Sequence, residues 1–460
     1  MVGTWVVEPI TKKKMEMTKH LGFQPTTEQA DALAQLEKFV VEGNNEEVFI
    51  LRGSAGTGKT SLVKALTEYL SESNIKFFIA APTGRAAKVI SSKTDRTART
   101  LHSLIYTPEQ MDNGGVRLKR KVNTNESFMV YIVDEASMVS DSVNQSDNFL
   151  VTKPLLSDFI DFVKQGNKQN KILFIGDVYQ LPPVMSQDSP ALSVNYLQKK
   201  FGLQVKMAEL KEVKRQDADS YILENATLLR NCLIEGKKFP GLKCKQEKNF
   251  TYALHSFLGM FDNTQLEKVI FLALSNRDVN FFNNAVRDRL YGRDTKPELA
   301  EGDVVSLHTN WVGSGRMIMK GDSGIVKSVD MGSIDTFAEL RFANAQVEFS
   351  DSVGEKFNIK TAIMLGTLSS QDGNIESEKE TALFAEVMRH NATFRESKMP
   401  WDDKYIGAMR LRYGYASTCH KAQGGEWDNV IIHPFHDKND YRWLYTAVTR
   451  ARQELYSYAA

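Results

Sequence analysis

The chain has 460 residues, of which 42% are hydrophobic and 25% are charged, and its formal net charge is +1. This is the composition of a soluble globular protein, and the length is too great for one ordinary domain. The near-neutral charge neither demands nor excludes nucleic acid, because a protein that binds single strands needs only a local basic groove.

Membrane and disulfide-rich classes are disfavoured by the sequence. No apolar run approaches the roughly 18 residues of a membrane span, and no signal-peptide pattern is present at the N-terminus. The three cysteines are scattered at 232, 244 and 419 and match neither a disulfide framework nor a zinc site. We therefore expect a protein of a reducing compartment, the cytoplasm of a bacterial or phage-infected cell.

A helical pattern begins near residue 26 and carries Gln29. The side-chain amide of Gln29 has both a donor and an acceptor and could pair with an adenine edge. The alternative is an ordinary residue on a helix surface.

A glycine-rich loop follows the first buried-strand pattern, residues 48–51, and precedes a helical pattern that starts at Ser61. The loop has the form G-x-x-x-x-G-K-T and consists of Gly53, Ser54, Ala55, Gly56, Thr57, Gly58, Lys59 and Thr60. In this strand–loop–helix context the backbone N–H groups can surround phosphate oxygens, and the helix dipole favours the same anion. Lys59 would reach the β- and γ-phosphates, and Thr60 would bind Mg²⁺. A chance glycine-rich turn is the alternative.

Two further strand-to-helix junctions could contact phosphates. A strand pattern at 77–81 ends at Pro82 and Thr83, and a basic segment precedes Thr100 and His102. Simple turns between elements would look similar. Residues 107–123 then predict a polar hairpin with a basic return arm, which could be a solvated loop or a wedge held against nucleic acid.

Carboxylates end the next two strand patterns. The pattern at 128–133 leads into Asp134 and Glu135, and the pattern at 171–176 leads into Asp177 and then Gln180. Adjacent carboxylates at a strand end are costly without a cationic partner, so Asp134 is predicted to bind Mg²⁺ and Glu135 to accept a proton from the attacking water. Gln180 is expected near the γ-phosphate. Alternating strands and helices predict a mostly parallel sheet, with ligands at the carboxyl ends of its strands.

A second unit is expected beyond about residue 200. It includes a buried strand at 268–274 that leads into Asn276, and from about 301 to 405 the pattern changes to β-like runs that suggest an inserted barrel. Arg450 lies in its closing segment and could stabilise the transferring phosphoryl group from a second domain. Without the rest of the chain, an arginine on a helix face would be the preferred interpretation for Arg450 or Arg452.

Together these stretches resemble the motifs of superfamily 1 helicases, and their order and spacing resemble the 5′-to-3′ branch, superfamily 1B, which includes RecD-like and Dda-like proteins. The resemblance covers nearly the whole chain. Its most discriminating part is the segment His420-Lys421-Ala-Gln-Gly424. The segment departs from the family pattern at Gly425, which replaces a common serine.

The resemblance implies a role for each motif residue. Gln29 would read adenine, Gly53 to Thr60 would bind the nucleotide, and Arg215, Glu426 and Arg450 would complete its site. The implied catalytic residues are Lys59, Glu135, Gln180, Arg215 and Arg450, and the implied metal ligands are Thr60 and Asp134. The implied DNA contacts are Pro82, Thr83, Thr100, His102, Asn276, Ser417, Thr418, His420 and Lys421.

The implied fold is α/β, with two RecA-like parallel-sheet domains, a short hairpin insertion in the first and an SH3-like β-barrel insertion in the second. The expected boundaries are 1–104 and 128–200 for domain 1A, 105–127 for the wedge 1B, 201–300 and 406–460 for domain 2A, and 301–405 for insertion 2B. The implied cofactors are ATP and Mg²⁺. The implied partners are single-stranded DNA and DNA forks, with no membrane, possible replication or repair proteins, and a monomeric chain.

The implied activity is ATP-dependent 5′-to-3′ translocation on single-stranded DNA with separation of the duplex. Two other functions stay open at this point. One is an RNA helicase of the same superfamily, since the 2′-hydroxyl contact that separates the substrates cannot be assigned. The other is a P-loop ATPase that uses its cycle as a switch or clamp on nucleic acid without unwinding.

Overall fold

A computed structural model describes the chain at residues 17–41, 45–110, 116–143, 149–150, 153–184, 186–213, 221–351, 354–370, 373–435 and 439–459. At 108–110, 116–117 and 149–150 the backbone alone is described. Within these ranges, no helix combines the length and the apolar character that crossing a bilayer requires.

The first half of the chain alternates strands and helices. Its strands are β1 Val48–Gly53, β2 Lys76–Ala81, β3 Ala98–Thr100, β4 Tyr106–Gln110, β5 Val116–Arg120, β6 Met129–Val133, β7 Phe149–Leu150, β8 Lys171–Gly176 and β9 Val205–Leu210. Its helices are α1 Thr27–Val41, α2 Lys59–Glu72, α3 Gly84–Thr94, α4 Leu101–Ile105, α5 Leu155–Gln165 and α6 Val194–Phe201. Short 3-10 turns lie at Met17–Leu21, Ala136–Met138 and Pro190–Leu192.

Six of these strands form one parallel sheet in the order β3-β2-β6-β8-β1-β9. Side chains alternate between the two faces of the sheet along each strand, and each face packs in its own apolar core. In β1, Phe49 and Leu51 pack on one face and Val48 and Ile50 on the other. Strand β9 lies beyond residue 200, the expected end of this unit, so that boundary needs correction to at least residue 210.

The predicted hairpin insertion is present as β4 and β5, which pair antiparallel, while β7 adds to β5 in parallel. The expected turn at 113–115 lies outside the described residues. Two basic side chains of the return arm contact the first unit: Arg120 Nε lies 3.7 Å from Asp158 Oδ1, and Lys121 Nζ donates to the Ser103 carbonyl at 2.8 Å.

The second half contains the remaining elements. Its strands are β10 Lys245–Glu247, β11 Val269–Ala273, β12 Val304–Leu307, β13 Trp311–Gly313, β14 Arg316–Ile318, β15 Ser323–Phe337, β16 Leu340–Ser350, β17 Lys356–Met364, β18 Leu411–Tyr413, β19 Ala416–Thr418, β20 Trp427–Ile432 and β21 Ala451–Tyr458. Its helices are α7 Tyr221–Glu235, α8 Phe250–Met260, α9 Asn276–Tyr291, α10 Gly366–Ser369, α11 Ser377–His390, α12 Ala392–Ser397, α13 Cys419–Ala422 and α14 Tyr441–Val448, with a 3-10 turn at Pro400–Asp402.

A second parallel sheet has the order β10-β21-β20-β11-β19. Helices α7 and α14 pack on it through a shared apolar core that includes Leu229, Leu272 and Val448. The mixed α/β fold with two parallel sheets agrees with the predicted fold class.

The β-rich insertion forms an antiparallel sheet in the order β17-β16-β15-β12-β18. One isolated bridge pairs Ile363, in the edge strand β17, with Met409, which lies just before the other edge strand, β18. Strand β18 pairs with β12 but lies beyond residue 405, the expected end of the insertion. That boundary is therefore corrected to about residue 413, because hydrogen bonding rather than sequence texture decides which sheet a three-residue strand joins.

Candidate nucleotide-binding site

The glycine-rich loop lies between β1 and α2, as the sequence predicts. Gly56 and Gly58 have φ values of 78° and 84°, a left-handed conformation that favours glycine. Helix α2 begins at Lys59, so its free N–H groups and its dipole point into the loop. The Lys59 ammonium donates to the Gly53 and Ser54 carbonyls at 2.6 and 3.1 Å. The loop is thus shaped to surround an anion, with a cation at its centre.

Gln29 is a buried part of this site rather than a residue on a helix surface. Its side chain is 2% exposed, and its Nε2 donates to the Thr57 carbonyl at 3.0 Å. Its Oε1 accepts from the Thr26 backbone at 3.0 Å. The amide therefore fixes the start of α1 against the loop.

The acidic strand ends meet beside the loop, because parallel strands present their carboxyl ends at one edge. Asp134 and Glu135 follow β6, and Glu135 has a left-handed φ of 51° that turns the chain sharply. Burial and the adjacent Glu135 charge raise the pKa of Asp134, while the Lys59 charge opposes this shift. A divalent cation would stabilise both carboxylates as anions.

No group of three or more His, Cys, Asp or Glu side chains converges on a metal site within the described ranges. One or two carboxylates with substrate phosphates are the usual ligands of Mg²⁺. The residues Thr60 and Asp134 fit that pattern, since the nucleotide would supply the other ligands.

The segment that follows β8 belongs to the first unit and contacts the second. Asp177 is buried, and its Oδ2 accepts from the Tyr445 hydroxyl at 2.6 Å. The same hydroxyl accepts from the Ala55 backbone at 2.9 Å. Tyr445, on α14, therefore joins the glycine-rich loop to the end of β8, and sequence reasoning did not identify it.

Gln180 lies in the same segment after β8. It is 5% exposed, and its Oε1 has no hydrogen-bond donor among the described atoms. The neighbouring Leu181 is held from the second unit on both sides: its N–H donates to Thr446 Oγ1 at 2.9 Å, and its carbonyl accepts from Gln423 Nε2 at 2.8 Å. An oriented, unsatisfied acceptor can receive a hydrogen bond from water.

Arg450 is 4% exposed and bound within its own unit. It donates to the carbonyls of Thr446 and Gly425 at 3.0 and 3.1 Å and to Thr449 Oγ1 at 3.1 Å. Burial raises the pKa of Asp177 in the first unit, and the charges of Lys59 and Arg450 oppose this rise. Arg215 lies outside the described residues.

Glu426 contacts the first unit through Lys93 on α3, whose Nζ lies 2.5 Å from its Oε1. Burial alone would raise the pKa of Glu426, but the Lys93 charge and hydrogen bond outweigh it, and the pKa lies below its usual value. This ion pair crosses between the two units, and within the described ranges no hydrogen bond or ion pair joins Glu426 to the glycine-rich loop.

The expected DNA contacts of the first unit lie at helix starts. Thr83 and Thr100 cap α3 and α4 by accepting from Ala86 and Ser103 backbones at 3.2 and 3.1 Å. Pro82 precedes the first cap, and His102 packs against Tyr106 with ring centroids 5.8 Å apart. Each cap satisfies one backbone N–H, and the other N–H groups of the first turn can donate to a phosphate.

The expected DNA contacts of the second unit lie at the ends of β11 and β19. Ser417 and Thr418 are mostly buried in β19, and His420 and Lys421 follow in α13. Lys421 Nζ lies 3.3 Å from Asn276 Oδ1, so these two predicted residues do meet. Burial lowers the pKa of Lys421 to about 8, and the charges of Arg412 and Lys320 add to this effect. Three cations in one place favour an anionic ligand.

Gly424 of the second unit lies against the predicted DNA contacts of the first unit. It has a φ of 74°, and a Cβ placed there would lie 2.6 Å from Ala86 Cβ and 3.2 Å from Thr83 Oγ1. Only glycine allows this approach. The predicted phosphate-contacting segments of both units therefore adjoin.

Comparison with known proteins identifies the same two regions. A family model described as an AAA domain matches residues 24–236, and one described as a UvrD-like helicase C-terminal domain matches residues 413–457. The ATP-dependent DNA helicase Dda of enterobacteria phage T4 is 24% identical over 88% of this chain and 93% of its own length. The ATP-dependent RecD2 DNA helicase of Deinococcus radiodurans is 24% identical over 94% of this chain.

The chain spans only 48% of the length of RecD2. It is also 25% identical to an uncharacterized protein of Methanocaldococcus jannaschii and spans 38% of the length of that protein. Among solved structures, a Pif1 helicase from Bacteroides in complex with ADP-AlF3 and single-stranded DNA is 17% identical, covers 95% of this chain and 92% of its own, and has a TM-score of 0.47. The two family models and the near full-length match to Dda agree with the motif order, and the chain is similar to the RecD-like and Dda-like helicases over most of its length.

Proposed function

We propose that the chain is an ATP-dependent DNA helicase that moves 5′ to 3′ on single-stranded DNA and separates duplex DNA. The observation that carries this proposal is the Tyr445 hydroxyl, which links Ala55 of the glycine-rich loop to Asp177 while belonging to the second parallel sheet unit. A nucleotide bound at this loop would lie between the two units. Hydrolysis can then change their separation.

ATP would bind with its adenine near Gln29 and its phosphates at residues 53–60. Lys59 would leave the Gly53 and Ser54 carbonyls and bind the β- and γ-phosphates. Mg²⁺, held by Thr60 and Asp134, would neutralise phosphate charge. Glu135 would accept a proton from the attacking water, and the Gln180 Oε1 acceptor would orient that water.

The second unit would complete the site through Arg215, Glu426 and Arg450. Glu426 is already held by Lys93, an arrangement that keeps the units in register. For Arg450 to reach the phosphates, its guanidinium must exchange at least one carbonyl of its own unit for a phosphate oxygen. Charge-assisted bonds to phosphate are stronger than bonds to a carbonyl, which favours that exchange.

Single-stranded DNA would run across both units at Pro82, Thr83, Thr100, His102, Asn276, Ser417, Thr418, His420 and Lys421. The nearby cations and helix starts suit phosphate contacts that ignore sequence. The domain organisation that fits these roles is 1A at 1–104 and 128–210, the wedge 1B at 105–127, an SH3-like 2B at about 301–413, and 2A in the rest of the second half. We expect a monomer, and replication or repair proteins are candidate partners.

Strand displacement tests polarity and substrate together. We expect ATP-dependent displacement from a DNA duplex with a 5′ single-stranded tail, and little from the same duplex with a 3′ tail. The measurement is release of a fluorescent strand, with a matched RNA duplex in parallel. Preference for RNA would favour the RNA helicase, and nucleic-acid-stimulated hydrolysis without displacement would favour a clamp.

Arg450→Ala should keep ADP affinity within a small factor while DNA-stimulated hydrolysis falls roughly a hundredfold, because one charge that stabilises the transition state is lost. Arg452→Ala is the control, since Arg452 is exposed and pairs with Asp428 at 3.3 Å. The measurements are steady-state hydrolysis and thermal unfolding. Normal turnover with a lowered melting temperature would assign Arg450 a structural role instead.

A further inference from the structure

Helix α7 reaches the glycine-rich loop from the second unit. One face of the helix, including Ile222 and Leu229, packs in the core of the second sheet. Leu223 lies on a different face, and a Cβ placed on Gly56 would approach its Cδ2 to 2.9 Å. Arg230 follows two helical turns later, on the same side as Leu223.

The Arg230 guanidinium touches the loop directly. Its Nη1 donates to Ser54 Oγ at 2.9 Å and to the Lys211 carbonyl at 3.2 Å. Ser54 is 4% exposed, so its side of this contact is buried, while Arg230 itself is half-buried. Burial raises the pKa values of Tyr179 and Tyr445, and the nearby Arg230 charge opposes this rise.

Arg230 has unused binding capacity. Its Nε is buried and has no acceptor, and no ion pair with a carboxylate joins it in the described part of the chain. Arg287 shows the contrast, since its Nε lies 2.9 Å from Asp303 Oδ1. The buried Nε has a donor that is not satisfied, and the planar fork of a guanidinium matches a phosphate.

We propose that Arg230 is a phosphate-binding arginine that the second unit contributes to the nucleotide, where it contacts the terminal phosphate. The inference rests on the proposed function, because it assumes a triphosphate at this loop. The position favours the terminal phosphate because Ser54 lies at the β1 end of the loop, whereas the α2 end carries the amides that hold the inner phosphates. Arg450 has donors bound within its own unit, so Arg230 is the arginine already positioned at the loop.

The test compares binding of ATPγS and ADP to Arg230→Ala, each measured by displacement of a fluorescent nucleotide. We expect ATPγS affinity to fall roughly tenfold or more, while ADP affinity stays within about twofold. DNA-stimulated kcat should fall by at least a similar factor. Arg230→Lys keeps the charge without the fork geometry and should lie between Arg230→Ala and the unaltered protein.

Two further variants separate phosphate binding from loop support. Ser54→Ala removes the same hydrogen bond without removing charge, so its effect on ATPγS should be clearly smaller than that of Arg230→Ala. Lys237→Ala makes the same charge change just beyond α7, at a side chain 74% exposed, and should leave both affinities unchanged. Retained ADP binding shows in every variant that the site is folded.

Equal effects of Ser54→Ala and Arg230→Ala would overturn the proposal, as would equal losses of ATPγS and ADP or no loss of ATPγS. The proposed function is judged separately, by DNA-stimulated hydrolysis in the unaltered protein and in Lys237→Ala. Those two proteins remain active if only the Arg230 assignment fails.

Discussion

Replacing Lys59 by alanine is expected to lower DNA-stimulated ATP hydrolysis by roughly a thousandfold or more, because the lysine charge at the transferring phosphate is lost. Lys59 starts α2 and lies within 3.1 Å of two loop carbonyls, so its ammonium is already inside the phosphate-binding loop. Binding of single-stranded DNA should change little, since the expected DNA contacts lie at other strand ends. The measurements are steady-state phosphate release and fluorescence anisotropy of a labelled oligonucleotide.

Lys64→Ala is the matched control for this prediction. Lys64 lies on the same helix, is 42% exposed and pairs with Asp95 at 3.2 Å. It should leave hydrolysis close to that of the unaltered protein. DNA-stimulated turnover retained by Lys59→Ala would contradict the assignment of this loop.

Asp303→Asn is expected to lower the free energy of unfolding by about 3–5 kcal/mol, because it leaves the Arg287 charge buried without its counterion. The two side chains are 0% and 2% exposed and share two short contacts, of 2.9 and 3.1 Å. Asp303 also accepts from the Tyr415 hydroxyl at 2.7 Å. The pair joins α9 of the second unit to the start of the antiparallel insertion.

Urea unfolding followed by tryptophan fluorescence measures this effect, and Asp288→Asn provides the comparison. Asp288 lies on the same helix, is 24% exposed and pairs with Lys296. A partly solvated pair contributes at most about 1 kcal/mol, so Asp288→Asn should shift the midpoint far less. Similar midpoints for both variants would show that the buried pair contributes no more than a surface pair.

Local patterns predicted most of the first sheet. Buried strands have apolar runs, and the acidic residues after Val133 and Gly176 do end two neighbouring strands of this sheet. The errors occur where sequence is weakly informative about pairing. Strand β9 joins the first sheet beyond the expected boundary at residue 200, and Leu411–Tyr413 joins the antiparallel sheet rather than the second parallel sheet.

The sequence by itself determined the glycine-rich loop, the acidic strand ends and the resemblance to superfamily 1B helicases, because each depends on residues that are neighbours along the chain. Only the tertiary structure placed Tyr445 between Ala55 and Asp177, and Arg230 against Ser54. Those partners are separated by 390, 268 and 176 residues. No periodicity or local motif encodes such contacts, since they depend on how two independently built sheets pack against each other.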